Sequence, residues 1–104
     1  MATIVNDANF AEEVSNSELP VMIDFHAEWC GPCKQLSPVI EELATEWEGK
    51  VKIVKVNVDE SQETAQKYGV MSIPTLVFLK GGEEVDRVTG ALPKSALEEK
   101  LTAL

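Results

Sequence analysis

Residues 21–47 read VMIDFHAEWCGPCKQLSPVIEELATEW and contain two different apolar patterns. Residues 21–27 are apolar at most positions, which is typical of a central parallel strand that is buried on both faces. Farther on, apolar residues follow the spacing of one helix face, and they are Leu36, Val39, Ile40, Leu43, Ala44 and Trp47. The stretch therefore predicts a central strand that leads directly into a helix from about Cys30 to Trp47.

The segments on either side of this stretch complete an alternating order of strands and helices. β-rich runs predict strands at residues 4–5, 51–58, 75–80 and 84–89. Gly81 and Gly82 separate the last two runs, which indicates an antiparallel hairpin. Apolar residues on one face predict helices at residues 10–14 and from Pro93 onward. A candidate capping residue and the terminator Gly69 predict a helix at residues 61–68. The order βαβαβαββα over residues 1–104 predicts a single α/β domain, with helices on both faces of a mixed sheet of parallel strands plus a C-terminal antiparallel hairpin.

Polar residues at the starts of two of these helices predict how the helices are capped. Asp7 is expected to accept hydrogen bonds at the start of the helix through residues 10–14. Ser61 or Asp59 is expected to do the same for the helix through residues 61–68, which Gly69 ends.

The chain of 104 residues carries 9 Lys and Arg against 18 Asp and Glu, a formal net charge of −9. This negative field repels phosphate backbones and anionic lipid surfaces, which argues against nucleic acid and membranes as partners. The opening MATIVNDANF has neither a basic start nor a long apolar run, so neither a signal peptide nor a membrane span is predicted. We therefore expect a cytoplasmic protein, in a reducing compartment where structural disulfides are uncommon.

The only two cysteines, Cys30 and Cys33, lie at the start of the predicted long helix. Unpaired amide groups and the positive end of the helix dipole converge there, so the pKa of the Cys30 thiol is expected to be lowered. Cys30 is then the candidate nucleophile for a target disulfide, and Cys33, about one turn further in, can resolve the resulting mixed disulfide. Gly31 and Pro32 keep the two sulfurs within bridging distance.

A zinc site and a structural disulfide are weaker interpretations of the cysteine pair. A zinc site normally needs four ligands, and His26 is the only other good ligand in the chain, so no metal is expected. A purely structural disulfide would close so small a loop that it removes little entropy from the unfolded chain. Redox chemistry is therefore the favoured interpretation.

Asp24 and Lys55 are charged residues inside otherwise apolar predicted strands. A carboxyl group buried without full compensation has a raised pKa and can take the proton from Cys33 as that thiol attacks. Lys55, on a neighbouring strand, is expected to temper that rise. The alternative, which the residues alone leave open, is a structural buried ion pair between the two.

Three further positions each allow two interpretations. A cis peptide bond before Pro74 would expose the Ile73 backbone beside the thiols, whereas an ordinary trans turn is much commoner. Gly90 would let a substrate backbone approach closely, or would simply end a strand. Trp29 would shape a contact surface, or would pack against the end of the sheet.

Four segments resemble the thioredoxin family and together span essentially the whole chain: DFHAEWCGPCK (24–34), KVNVDE (55–60), YGVMSIPT (68–75) and TGAL (89–92). The resemblance implies a thioredoxin fold in which Cys30 is the nucleophile, Cys33 the resolving thiol and Asp24 the buried proton acceptor. It also implies a cis bond before Pro74 and a groove where an extended substrate segment pairs with backbone. The residues expected to contact substrate are Trp29, Gly31, Pro32, Ile73, Pro74 and Gly90.

By the same resemblance, the protein is expected to be a general protein-disulfide reductase. It would need no bound cofactor, since a flavoprotein thioredoxin reductase using NADPH would reduce it again. The protein would then act as an electron donor to cytoplasmic reductive enzymes. Typical clients of the family are ribonucleotide reductase, peroxiredoxins and methionine sulfoxide reductases. A monomer is expected, because no heptad repeat or unexplained apolar stretch is present.

Two other functions compete with this interpretation. Oxidase and isomerase domains usually carry His between the cysteines and a secretion signal, and Gly31-Pro32 argues against them. A binding module could use the same fold with redox chemistry incidental.

One position departs from the family pattern. Many thioredoxins carry Trp directly before the A-E-W-C segment, whereas this chain has His26. One hypothesis is that His26 titrates near neutrality and couples weakly to the thiolate or to Asp24. The other is a plain packing substitution.

Overall fold

The computed structural model describes all residues, 1–104. The strands are β1 (Thr3–Val5), β2 (Val21–His26), β3 (Lys52–Asn57), β4 (Thr75–Lys80) and β5 (Glu83–Thr89). The helices are α1 (Gly31–Glu46), α2 (Gln62–Lys67) and α3 (Lys94–Thr102), and a π-helical turn covers Ala11–Ser15. None of these helices has both the length and the apolar character needed to cross a membrane.

The strands form one mixed sheet in the order β1-β3-β2-β4-β5. β2 lies at its centre, where it pairs in parallel with β3 and antiparallel with β4. β1 extends the parallel side of the sheet, and β5 extends the antiparallel side. The predicted central strand and C-terminal hairpin are confirmed, although β2 is parallel to only one of its two neighbours.

Each face of the sheet is covered by its own helices. Because successive side chains of a strand point to opposite faces, Met22 packs with α1 and α3, whereas Ile23 and Phe25 pack on the other side. The helix residues buried on the first face are Leu36, Ile40, Leu43, Leu97 and Leu101. Phe10 and Val14, at the π-helical turn, are buried on the second face. The predicted α/β fold with helices on both faces is confirmed.

The β4–β5 connection needs two residues in the left-handed region. Gly81 has a φ of +62° and Gly82 a φ of +81°, values that residues with a Cβ rarely adopt. The hairpin turn was therefore predictable from the two glycines. β5 begins at Glu83, one residue before the predicted run.

The predicted helix caps are wrong, because Asp7 caps a different helix from the one that follows it. Its carboxylate accepts hydrogen bonds from the Thr64 backbone N–H at 2.9 Å, the Thr64 hydroxyl at 2.6 Å and the Glu63 N–H at 3.3 Å. Ser61 is the N-cap residue of α2, but its side chain makes no capping hydrogen bond. Asp7 therefore joins the start of the chain to the start of α2.

Replacing Asp7 with Ala is expected to lower the midpoint of thermal unfolding by several degrees, because the first amides of α2 lose their acceptor. These hydrogen bonds lower the pKa of Asp7. Stability from such a group is present above its unfolded-state pKa and is lost as pH falls through its folded-state pKa. The difference between the variant and the wild type should therefore be full at pH 7 and shrink in acid. Thermal unfolding followed by circular dichroism measures both.

Ser61→Ala provides the matched control for this prediction. Since its hydroxyl makes no capping bond, this variant should unfold close to the wild-type temperature. A larger loss in Ser61→Ala than in Asp7→Ala would contradict the assignment of the cap.

Candidate active site

Cys30 and Cys33 form a disulfide at the amino end of α1, with their Cα atoms 5.2 Å apart. Cys30 is the N-cap residue, and Pro32 lies in the first turn, a position that proline tolerates because the missing N–H would be unpaired anyway. The Cys33 backbone N–H donates to Cys30 Sγ at 3.2 Å. A helix N-terminus with an amide aimed at the sulfur favours thiolate over thiol.

The Ile73 backbone lies beside this disulfide. The peptide bond between Ile73 and Pro74 is cis, as the family resemblance implies. The general preference of X-Pro bonds for trans would not have indicated this. Cys30 Sγ lies 3.9 Å from the Ile73 carbonyl oxygen. Just after β5, Gly90 has a φ of +94° and donates its N–H to the Pro74 carbonyl at 2.8 Å. The chain segments around Pro74 and Gly90 are thus held together next to the sulfurs.

Trp29 stands at the edge of an apolar groove near the disulfide. Its side chain is 71% exposed, and its indole N–H donates to Asp59 at 2.8 Å. The groove has a volume of about 370 Å³ and is lined by Trp29, Val58, Val70, Met71, Ser72 and Ile73. This exposure favours a contact surface over packing against the sheet. The sequence analysis did not name Val58, Val70 or the hydrogen bond to Asp59. The apolar residues near Ile73 and just after β3 could have indicated the groove.

Asp24 is buried in the centre of the sheet, with 1% of its surface exposed and Oδ1 without a hydrogen-bond partner. Burial raises its pKa to about 7, while Lys55 opposes the rise and Glu41 adds to it. A cavity of about 90 Å³, lined in part by Asp24, Cys33 and Lys55, lies between these groups. Such a space is large enough to admit water.

Lys55 is the strand neighbour of Asp24, since the two residues are paired in register between β2 and β3. Its ammonium donates to the Ser37 hydroxyl at 2.9 Å and forms an ion pair with Glu41 at 3.7 Å. The ion pair of Lys55 is therefore with Glu41, and not with Asp24 as the structural alternative supposed. Ser37 and Glu41 are participants that the sequence interpretation did not name.

His26, at the end of β2, lines the same cavity and is half-buried. Burial and the nearby Lys55 ammonium lower the pKa of its imidazole, which favours the uncharged ring.

Replacing Asp24 with Asn is expected to remove a pH dependence of stability. The folded-state pKa of Asp24 is about 7, against an ordinary value of 3.8. The folded protein therefore binds an extra proton between these values, and its stability falls as pH rises from the lower to the upper one. Between pH 4 and pH 8 the wild type should lose roughly 4 kcal/mol of unfolding free energy relative to the variant.

Urea unfolding of both proteins at the two pH values measures this difference. Comparing the two pH values within each protein cancels any fixed cost of burying the amide. Equal pH dependence in the wild type and in Asp24→Asn would contradict the raised pKa.

Comparison with known proteins gives a consistent result. Residues 1–103 match the sequence model of the thioredoxin family. Thioredoxin of Synechocystis sp. is 55% identical over 97 residues, which cover 93% of this chain and 91% of the relative. Thioredoxin of Haemophilus influenzae is 55% identical, with coverage of 89% and 87%. The M-type chloroplastic thioredoxin of Pisum sativum is 54% identical over 94% of this chain and 57% of its own length.

The match to the family model extends over almost the whole chain, including the segment that carries Cys30 and Cys33. The protein belongs to the thioredoxin family and is a thiol-disulfide oxidoreductase.

Proposed function

We propose that this protein is a general protein-disulfide reductase. The thiolate of Cys30 attacks one sulfur of a target disulfide, forms a mixed disulfide with it and releases the other target sulfur as a thiolate. Cys33 then attacks the Cys30 sulfur, which releases the second target sulfur and leaves Cys30 and Cys33 joined. Two electrons pass to the target. The N-cap position of Cys30, with an amide aimed at its sulfur, is the observation that carries this proposal.

In this proposal Asp24 accepts the proton of Cys33 during the second attack. A carboxyl group with a pKa of about 7 is suited to this work, because a general base acts best when its pKa lies near the working pH. The shared cavity supports the transfer. Lys55 limits how far the pKa of Asp24 rises, and so keeps part of the carboxyl group ionised at neutral pH.

Substrate is proposed to bind as an extended segment next to Cys30. The Ile73 backbone beside the sulfur supports pairing of main chains, and the apolar groove supports contact with side chains. The proposed contact residues are Trp29, Gly31, Pro32, Ile73, Pro74 and Gly90. At Gly31 and Gly90, apart from the adjacent residues and the backbone of α1 itself, no atom lies within 4 Å of the place a Cβ would occupy, so a substrate backbone has room to approach.

The proposed electron source is a thioredoxin reductase that uses NADPH. Proposed recipients are disulfide-containing proteins such as ribonucleotide reductase, peroxiredoxin and methionine sulfoxide reductase. We also propose that residues 1–104 form one domain, that the protein is a monomer and that it acts in the cytoplasm. One curated relative, from pea, is named as chloroplastic, so the compartment is tested separately by fractionation of the source cells.

Reduction of insulin disulfides by dithiothreitol, with and without the protein, tests the function. Marked acceleration by the wild type, absent in a Cys30→Ser, Cys33→Ser double variant, is expected. If the wild type gives no acceleration, the reductase proposal fails and a binding module becomes the better interpretation. A fold check of the double variant by circular dichroism ensures that its inactivity reports chemistry.

A further inference from the structure

Three side chains of α1 form a row that leads from the buried thiol toward solvent. Cys33, Ser37 and Glu41 are spaced four residues apart, so they lie along one face of the helix. Cys33 is buried at 5% exposure, whereas the Glu41 side chain is 38% exposed. This row faces the register neighbours Asp24 and Lys55. The Ser37 hydroxyl occupies the middle position of the row, between the buried Cys33 and the outer Glu41 carboxylate.

The Lys55 ammonium has two partners, and they lie in different directions. Ser37 lines the inner cavity together with Asp24 and Cys33. Glu41 lies outside that lining, and its other oxygen, Oε1, accepts from the Ala2 backbone N–H at 2.9 Å. The ammonium is 2.9 Å from Ser37 Oγ and 3.7 Å from Glu41 Oε2. The hydroxyl is therefore the closer partner, and it is the one on the side of the cavity.

The position of this ammonium matters because two charges of opposite sign act on Asp24. The Lys55 charge favours the ionised carboxyl group, and the Glu41 charge disfavours it. Since Coulomb interactions weaken with distance, an ammonium drawn outward to Glu41 would stabilise the Asp24 carboxylate less. The Ser37 hydroxyl is the only hydrogen-bond partner that holds Lys55 on the inner side.

We propose that Ser37 is a positioning residue for the disulfide exchange reaction: its hydroxyl holds the Lys55 ammonium at the cavity, against the pull of Glu41. The inference rests on the proposed role of Asp24 as the proton acceptor for Cys33. Without the hydroxyl, Lys55 moves toward Glu41 and Asp24 keeps its proton to higher pH. The resolving attack of Cys33 then loses its base at neutral pH.

The other titratable groups around Asp24 do not take over this role. They are His26 on β2, Glu28 after β2, and Cys33 and Lys34 on α1. β4 pairs with Asp24 through Leu76, which carries no charge. Lys55 and Glu41 are the charged groups that act on the Asp24 carboxyl group. The position of the Lys55 ammonium relative to Glu41 therefore sets how far the Asp24 carboxylate is stabilised.

The test is the titration of Asp24, followed by ¹³C NMR of its carboxyl carbon in the oxidised protein, where the cysteines do not titrate. Ser37→Ala should raise the Asp24 pKa by about 0.5 to 1 unit. Ser37→Thr, which keeps the hydroxyl, should restore the wild-type value. Glu41→Gln should lower the pKa, because the opposing charge is removed. Gln35→Ala, at an exposed position of the same helix, should leave it unchanged.

An Asp24 pKa that is unchanged or lowered in Ser37→Ala overturns the proposal, and so does a failure of Ser37→Thr to restore it. This readout does not depend on reductase activity, so it is separate from the insulin assay. The pH profile of insulin reduction is the second measurement, and its midpoint should move upward with the Asp24 pKa in Ser37→Ala. A raised Asp24 pKa with an unmoved profile would contradict the proton-acceptor role of Asp24 and leave the positioning by Ser37 standing.

Discussion

Replacing Cys30 with Ser is expected to lower the rate of protein-disulfide reduction by a factor of about 10³ or more. A serine hydroxyl is not ionised at neutral pH and cannot form the mixed disulfide through which exchange proceeds. Both cysteines are 5% exposed, but Cys33 lines the inner cavity with Asp24 whereas Cys30 Sγ lies beside the Ile73 carbonyl. Cys33 is therefore not expected to replace Cys30 as the attacking group. Single-turnover reduction of a peptide disulfide by the pre-reduced variant measures the loss.

Gln35→Ala is the matched control for this loss, because it changes an exposed position of the same helix and leaves both sulfurs in place. Its effect on the rate should be far smaller than that of Cys30→Ser. Substantial activity of Cys30→Ser, at about a tenth of the wild-type rate or above, would mean that another group attacks the substrate.

Replacing Cys33 with Ser is expected to stop the reaction at the mixed disulfide. Cys30 keeps its N-cap position and can still attack, but no thiol is left to displace the substrate from it. The variant should therefore accumulate as a covalent complex with the target, while turnover falls as far as in Cys30→Ser. Mass spectrometry under non-reducing conditions should show one target molecule disulfide-bonded to each protein molecule.

Addition of dithiothreitol should release the target from this complex, which distinguishes a disulfide from any other linkage. The double variant lacking both cysteines should form no complex with the same target. Full turnover by Cys33→Ser, or an adduct that resists the reductant, would contradict the resolving role of Cys33.

The central part of the fold was predictable from local patterns. The run at residues 21–27 and the helical spacing from Leu36 to Trp47 required only the nearest neighbours in sequence, and both elements are present as β2 and α1. Gly81 and Gly82 indicated the hairpin in the same way, because their backbone conformations exclude most other residues. The spacing of Cys30 and Cys33 was enough to indicate the site.

The contacts that the sequence did not predict join residues far apart in the chain. Asp7 accepts a hydrogen bond from Thr64, 57 positions away in the chain. The residues just before α2 therefore do not indicate which side chain caps it. An ion pair between Lys55 and Asp24 was the structural alternative, but the ammonium is held by two residues of α1. The helix row that brings Ser37 and Glu41 to Lys55 depends on how α1 crosses the sheet, which spacing within α1 does not reveal.

The burial of Asp24 shows why such a residue is costly to keep. Its ionised form is disfavoured by desolvation and favoured only in part by Lys55, so the folded state loses stability as the carboxyl group ionises. A neutral residue would fill the position at lower cost. We therefore interpret the retained acid as serving the exchange reaction, with Ser37 and Lys55 adjusting how strongly it holds its proton.

The most direct test is a single turnover of the reduced wild-type protein with a disulfide-linked peptide, quenched in acid at successive times and mapped by mass spectrometry. We expect a transient adduct on Cys30, followed by a protein with a Cys30–Cys33 disulfide and two released peptide thiols. A first adduct on Cys33, or a protein that stays reduced while the peptide stays oxidised, would contradict the assignment of Cys30 as the nucleophile of a disulfide reductase.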